Sequence, residues 1–152
     1  MVRVLMVCLG NICRSPLAEG ILKSKVDPQK VFVDSAGTGG WHVGHLPDVR
    51  SIEIARNYDL YITDQRSRRF SPIDFHKFDW IYVMDRSNYS DVLEMASSDL
   101  ERNKVRMILE ELYPGEKREV PDPYYGGPQG FDNVYKMLDT VCDIIATKLE
   151  NE

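Results

Sequence analysis

The segment Val4-Leu5-Met6-Val7-Cys8-Leu9-Gly10-Asn11-Ile12-Cys13-Arg14-Ser15-Pro16 constrains the fold more than any other part of the chain. The apolar run at residues 2–7 reads as a buried strand. It leads straight into a cysteine. Ser15 is a good helix N-cap and Pro16 a good first helical residue. Behind them Leu17, Ala18, Ile21 and Leu22 fall on one helical face. A strand end and a helix N-terminus therefore meet across residues 8–15. Backbone N–H groups converge at such a junction, and the helix dipole favours an anion there. Gly10 and Asn11 tolerate left-handed backbone, so the loop can turn its amides inward as a nest. A cysteine facing those amides is a candidate thiolate nucleophile. Arg14 offers a planar fork that grips two oxygens of one phosphate. This is the layout of a loop that wraps a tetrahedral oxyanion around a thiolate.

Strands and helices alternate beyond it. Residues 30–35 hold Val31, Phe32 and Val33 and read as a second strand. Pro47 opens a helix bearing Val49, Ile52 and Ala55. Residues 81–84, led in by Trp80, form a third strand, and Asp85 starts a helix through Tyr89, Val92, Leu93 and Ala96. Residues 105–109 are ambiguous by pattern alone. Residues 131–149 form a long amphipathic helix with Val134, Met137, Leu138, Val141, Cys142, Ile145 and Leu149 on one side. Such alternation favours an α/β fold, a parallel sheet covered on both faces. Ligands in such sheets bind at the carboxyl ends of strands, which is where Cys8 falls.

A chain of 152 residues is expected to form one domain, residues 1–152. Its net charge of −5 argues against a nucleic-acid partner. The cluster Arg66, Arg68 and Arg69 suits a solvated face or a place beside the phosphate loop. No run approaches the ~20 apolar residues of a membrane span, and the first apolar run is too short for a signal peptide. Three cysteines then point to free thiols in a reducing compartment, the cytoplasm. His42 and His45 lie close together without a third ligand and His76 stands alone, so no metal and no other cofactor is expected.

The motif Cys-Leu-Gly-Asn-Ile-Cys-Arg-Ser-Pro resembles the signature loop of the low-molecular-weight protein tyrosine phosphatases. Asp34-Ser35-Ala36-Gly37-Thr38, Trp41-His42-Val43-Gly44, residues 78–85 and Asp122-Pro123-Tyr124-Tyr125 resemble further family segments, in the family's order. The resemblance implies a three-layer sandwich around a four-stranded parallel sheet in the order 2-1-3-4, with a strand at residues 105–109 and the phosphate-binding loop after the first strand. It implies hydrolysis of phosphotyrosine, in proteins or small aryl phosphates, through a phosphocysteine, with inorganic phosphate released. Cys8 would be the nucleophile and Arg14, with the loop residues Leu9, Gly10, Asn11, Ile12, Cys13 and Ser15, would hold the phosphoryl oxygens. Asp122 would be the general acid, its loop stiffened by Pro123. Ser15 can donate to the Cys8 thiolate. Ile12, Trp41, Tyr124 and Tyr125 would wall the pocket for a flat ring.

Asn11, Ser15 and Ser35 would brace the loop. The family adds a histidine to this brace, and the matching position here is Gln65, which cannot carry charge. Arg68 matches a family arginine with a structural role. Cys13 would pair reversibly with Cys8 under peroxide, protecting it from over-oxidation. A monomer is expected, with weak self-association as the alternative. Two rival activities share the scaffold. An arsenate reductase needs redox cysteines after the third strand, and residues 80–100 hold none. A protein arginine phosphatase carries Thr where this chain has Ile12, and usually Phe where it has Tyr124.

Overall fold

Successive residues of a strand point to opposite faces of a sheet, and β1 (Val2–Cys8) has both of its faces buried. In the computed structural model, which describes residues 1–124 and 127–151, Val4, Met6 and Cys8 face one apolar cluster and Leu5 and Val7 face another. A strand covered on both sides belongs in the middle of a layered sheet. The sheet has four strands in the order β2-β1-β3-β4, all parallel. Its other members are β2 (Val31–Gly37), β3 (Trp80–Val83) and β4 (Val105–Met107). This is the three-layer architecture and strand order that the sequence led us to expect.

On one face, Leu17, Ala18, Ile21 and Leu22 of α1 (Arg14–Lys23) pack with Ala55 of α2 (Val49–Asn57). The long final helix adds Val134, Leu138, Val141, Cys142, Ile145 and Leu149. On the other face, Phe75 of α3 (Asp74–Lys77) and Val92 of α4 (Arg86–Glu94) cover Leu5, Val7, Ile81 and Val83. The short α5 (Asp99–Arg102) precedes β4, and α6 runs Pro128–Glu150.

Several boundaries differ from the sequence reading. The first helix begins at Arg14, with Cys13 at its N-cap position and no side-chain cap. Ser15 lies inside the first turn because its hydroxyl is engaged in the loop below. The second helix starts at Val49, not Pro47, since the Asp48 carboxylate caps it through the Arg50 N–H. Residues 105–109 split: three stay in β4, and Ile108 and Leu109 turn into a 3-10 helix, Ile108–Glu111, that buries both.

Candidate active site

The loop between β1 and α1 is held from outside by its carbonyls. The Thr38 N–H donates to the Cys8 carbonyl at 3.0 Å and the Gly39 N–H to that of Leu9 at 2.8 Å. The Ser67 hydroxyl donates to the Gly10 carbonyl at 3.0 Å, the Asp48 N–H to that of Ile12 at 2.8 Å and the Ser51 hydroxyl to that of Cys13 at 3.3 Å. In a trans peptide the C=O and the following N–H point in opposite directions. Carbonyls turned outward therefore turn the N–H groups of Leu9, Gly10, Asn11, Cys13 and Arg14 inward. The Asn11 N–H shows this directly, donating to the Cys8 Sγ at 3.3 Å. Asn11 takes the left-handed conformation at φ 56°. Gly10 does not. A Cβ there would lie 3.1 Å from the His42 ring, closer than side chains usually pack.

Cys8 sits on the floor of the resulting pocket, 2% exposed, with the Ser15 Oγ 3.0 Å from its sulfur. The Asn11 side-chain nitrogen donates to Ser15 Oγ at 2.8 Å and to Ser35 Oγ at 3.0 Å. Asn11 Oδ1 accepts from the Arg68 N–H at 3.0 Å. These contacts bring Asn11, Ser15 and Ser35 into one network. Gln65 stays out of it: its Nε2 donates to the Pro16 carbonyl at 3.1 Å, and its buried Oε1 has no hydrogen-bond partner among the described residues. Arg68 itself spans Asp34 and Asp74, at 3.1 Å to each, and tethers the segment to β2 and α3.

Arg14 is fixed by a pair of bonds through one nitrogen. Its Nη1 donates to Asp85 Oδ2 and to the Val120 carbonyl, each at 2.8 Å. Its Nη2 lies 4.0 Å from Asp122 Oδ2. Burial works against the guanidinium charge, but the Cys8 sulfur, Asp85 and Asp122 outweigh it and raise the Arg14 pKa. A cation so held is aimed at an anion in the pocket. Asp122 is the half-exposed carboxylate at the mouth, and its Oδ1 accepts the Tyr124 N–H at 3.0 Å. Arg50 docks this loop by donating to the Tyr124 carbonyl at 2.9 Å and lying over the Tyr124 ring.

The pocket encloses about 320 Å³, the small end of ligand sites. Cys8, Leu9, Gly10, Ile12, Cys13, Arg14, Trp41, His42, Asp122 and Tyr124 form it. Trp41 stands at the rim, 70% exposed, and Tyr124 is exposed as well, so neither is a core aromatic. Tyr125 lies outside the described residues. Cys13 is buried, and burial, before the nearby Asp48, pushes its thiol up to about 12. Among the described residues no group of His, Cys, Asp and Glu could hold a metal ion. Sequence reading missed Asp85 and His42. The signal for His42 was its place beside Trp41. Asp85 gave only its helix cap.

Gly37 locks the loop to β2. A Cβ there would lie 2.8 Å from the Leu9 carbonyl oxygen and 3.0 Å from the Asn11 nitrogen. Gly37→Ala must therefore move the loop backbone. A displacement near 1 Å at a reacting centre costs roughly 10²-fold in rate, so kcat/KM should fall by about that order while circular dichroism keeps its native shape. A loss below about twofold would show that the loop absorbs the methyl.

The geometry gathers a buried cysteine, inward-facing amides and a fixed arginine at the carboxyl end of a parallel sheet, the arrangement of an oxyanion-binding thiol site. Comparison with known proteins gives the family. The model for "low molecular weight phosphotyrosine protein phosphatase" matches residues 3–152. A relative of that description from Schizosaccharomyces pombe is 40% identical over 142 residues, 90% of each chain. The crystal structure of a protein tyrosine phosphatase from Entamoeba histolytica superposes with a TM-score of 0.92, at 35% identity, covering 99% of this chain and 98% of the other. That of YfkJ from Bacillus subtilis gives 0.90 at 34% identity, over 99% and 96%. The chain belongs to the low-molecular-weight phosphotyrosine protein phosphatases.

Proposed function

We propose that Cys8, Arg14 and Asp122 carry out the family's protein-tyrosine-phosphatase reaction in this chain. One observation carries the residue roles: Cys8 lies on the floor of a pocket whose mouth holds Asp122 and whose rim holds Trp41 and Tyr124. The Cys8 thiolate attacks phosphorus as the bond from phosphorus to the tyrosine oxygen breaks. The Asp122 carboxylic acid gives that oxygen its proton. The inward amides and Arg14 hold the three equatorial oxygens. The Asp122 carboxylate then takes a proton from water, the oxygen of that water bonds to phosphorus, and the bond to sulfur breaks. Inorganic phosphate leaves and the thiolate returns.

Cys8 is buried at the floor with aromatic side chains at the rim, which favours an aryl ester over the shorter serine phosphate. Ile12 and Tyr124 give an apolar wall suited to a phenyl ring. Cys13 lines the same pocket. On this reading peroxide oxidises Cys8 to the sulfenic acid, and the Cys13 sulfur displaces water from it to give a disulfide. Three unpaired thiols fit the reducing cytoplasm, where we place the protein as a monomer. Among the described residues no helix is long and apolar enough to cross a membrane.

Peptides bearing phosphotyrosine, phosphoserine and phosphoarginine, assayed side by side in chelator, test the reading. Phosphotyrosine should be hydrolysed at least about 10²-fold faster than the others, the scale at which a pocket built for one group rejects another. Preference for phosphoarginine, or a need for metal, would replace this reading with a rival one.

A further inference from the structure

Glu19 takes no part in the chemistry above, yet it is a buried acidic side chain, 3% exposed, on α1. Its Oε1 accepts the Ser35 hydroxyl at 2.6 Å, and its Oε2 accepts from Lys23 Nζ at 2.5 Å. Ser35 leads on through Asn11 and Ser15 to Cys8. A continuous chain of contacts thus runs from a half-exposed lysine to the nucleophile.

The protons in this chain can run only one way. An ionised carboxylate accepts and never donates. The single Ser35 proton therefore goes to Glu19, and Ser35 faces Asn11 with lone pairs. The Asn11 amide nitrogen is a donor only, and the Arg68 N–H on Oδ1 fixes which end of the amide points inward. One Asn11 proton goes to Ser35 and the other to Ser15. The proton of Ser15 is then left for the Cys8 sulfur, 3.0 Å away. Donation to sulfur favours the thiolate.

We infer that Glu19 and Lys23 form a remote positioning pair for the nucleophile: Lys23 holds the charge on Glu19, and Glu19 sets the proton order that ends with Ser15 donating to Cys8. The inference rests on Cys8 being the nucleophile. The charged groups facing Glu19 are Lys23 from its own helix and Asp34 from β2, the latter tied to Arg68. Among the described residues α2 and α6 bring no ion pair to it, and the Gln65 amide is neutral. Burial raises the Glu19 pKa and Asp34 adds to this, while Lys23 and Ser35 pull it down. Without Lys23 the carboxyl would take a proton at higher pH. The protonated carboxyl can then give its proton to the Ser35 oxygen, turning the Ser35 proton toward Asn11, which has only protons to offer.

Lys23→Gln removes the charge from a side chain that is 46% exposed, so the fold should survive. Two readouts are needed: iodoacetamide alkylation of Cys8 across pH without substrate, assigned by peptide mapping, and the pH profile of kcat/KM. A neighbouring opposite charge moves a titration by about one pH unit or more. Cys8 alkylation in Lys23→Gln should therefore fall about fivefold below wild type near pH 5.5 and converge with it above about pH 8, with the acid limb of kcat/KM moving up in step. Lys23→Arg should restore both. Adding Glu19→Gln to Lys23→Gln should remove the extra acid limb, since an amide does not titrate there. Alkylation and rate profiles that superpose on wild type, or a uniform loss at every pH, would overturn the inference. If wild-type kcat/KM failed to follow Cys8 alkylation at all, the nucleophile assignment itself would be at fault.

Discussion

Cys8→Ser should lose turnover while still binding phosphate. The amides turned inward by the outward carbonyl contacts do not depend on sulfur, and Arg14 is held by Asp85 and Val120. A serine hydroxyl at the same place is a far weaker nucleophile at neutral pH and a poorer leaving group in the second step. Loss of a nucleophile typically costs on the order of 10⁵–10⁶ in kcat. The same variant should bind inorganic phosphate within about threefold of wild type by calorimetry, because the charge-assisted donors all remain. Turnover within about tenfold of wild type would refute a thiolate mechanism. Loss of phosphate binding together with turnover would mean that the sulfur organises the loop, and the separation of roles drawn above would fail.

The parts legible in the sequence were those set by local chemistry. Val4 to Val7 are all fully buried, and an unbroken apolar run is what a central parallel strand needs. The spacing from Cys8 to Arg14 set the loop, and the alternation of periods set the sheet. What stayed hidden depends on partners far along the chain. Asp85 reads as a helix cap, and its Oδ1 does accept the Asn88 N–H at 2.8 Å. Its second oxygen holds Arg14, 71 residues away, and no local pattern announces that. Glu19 and Lys23 sit four apart, the spacing of an ordinary solvent-facing pair. Only the fold shows that one of them is buried against Ser35. Residues 105–109 failed as a single element for a related reason, since so short a mostly apolar segment reports burial but not period. Gln65 marks the limit of resemblance. Its position matches a brace residue, but its amide turns to the Pro16 carbonyl, and the Ser35 hydroxyl donates to Glu19.

The roles of Asp122 and Cys8 separate by leaving group. In Asp122→Asn the Oδ1 can still accept the Tyr124 N–H, so the loop should keep its shape. The amide cannot give a proton to the departing oxygen. General acid catalysis is worth about 10²–10⁴-fold, so kcat/KM for a phosphotyrosine peptide should fall by that order. The loss must shrink as the leaving group improves. A nitrophenolate departs without protonation, so nitrophenyl phosphate should lose at least about tenfold less in kcat/KM than phosphotyrosine. That ratio reports the first step alone, whereas kcat also contains attack by water on the phosphocysteine, where the proposed mechanism uses Asp122 as base. Phosphoenzyme should therefore accumulate when the variant turns over a good leaving group, and rapid quenching would trap it on Cys8. Asp85, the other carboxylate on Arg14, accepts from Arg14 through one oxygen and from the Asn88 N–H through the other. Both of its oxygens are thus committed to holding Arg14 and the helix, which suits a structural role. An Asp122→Asn enzyme slowed less than about threefold on every substrate, with unchanged leaving-group sensitivity, would remove Asp122 from the mechanism.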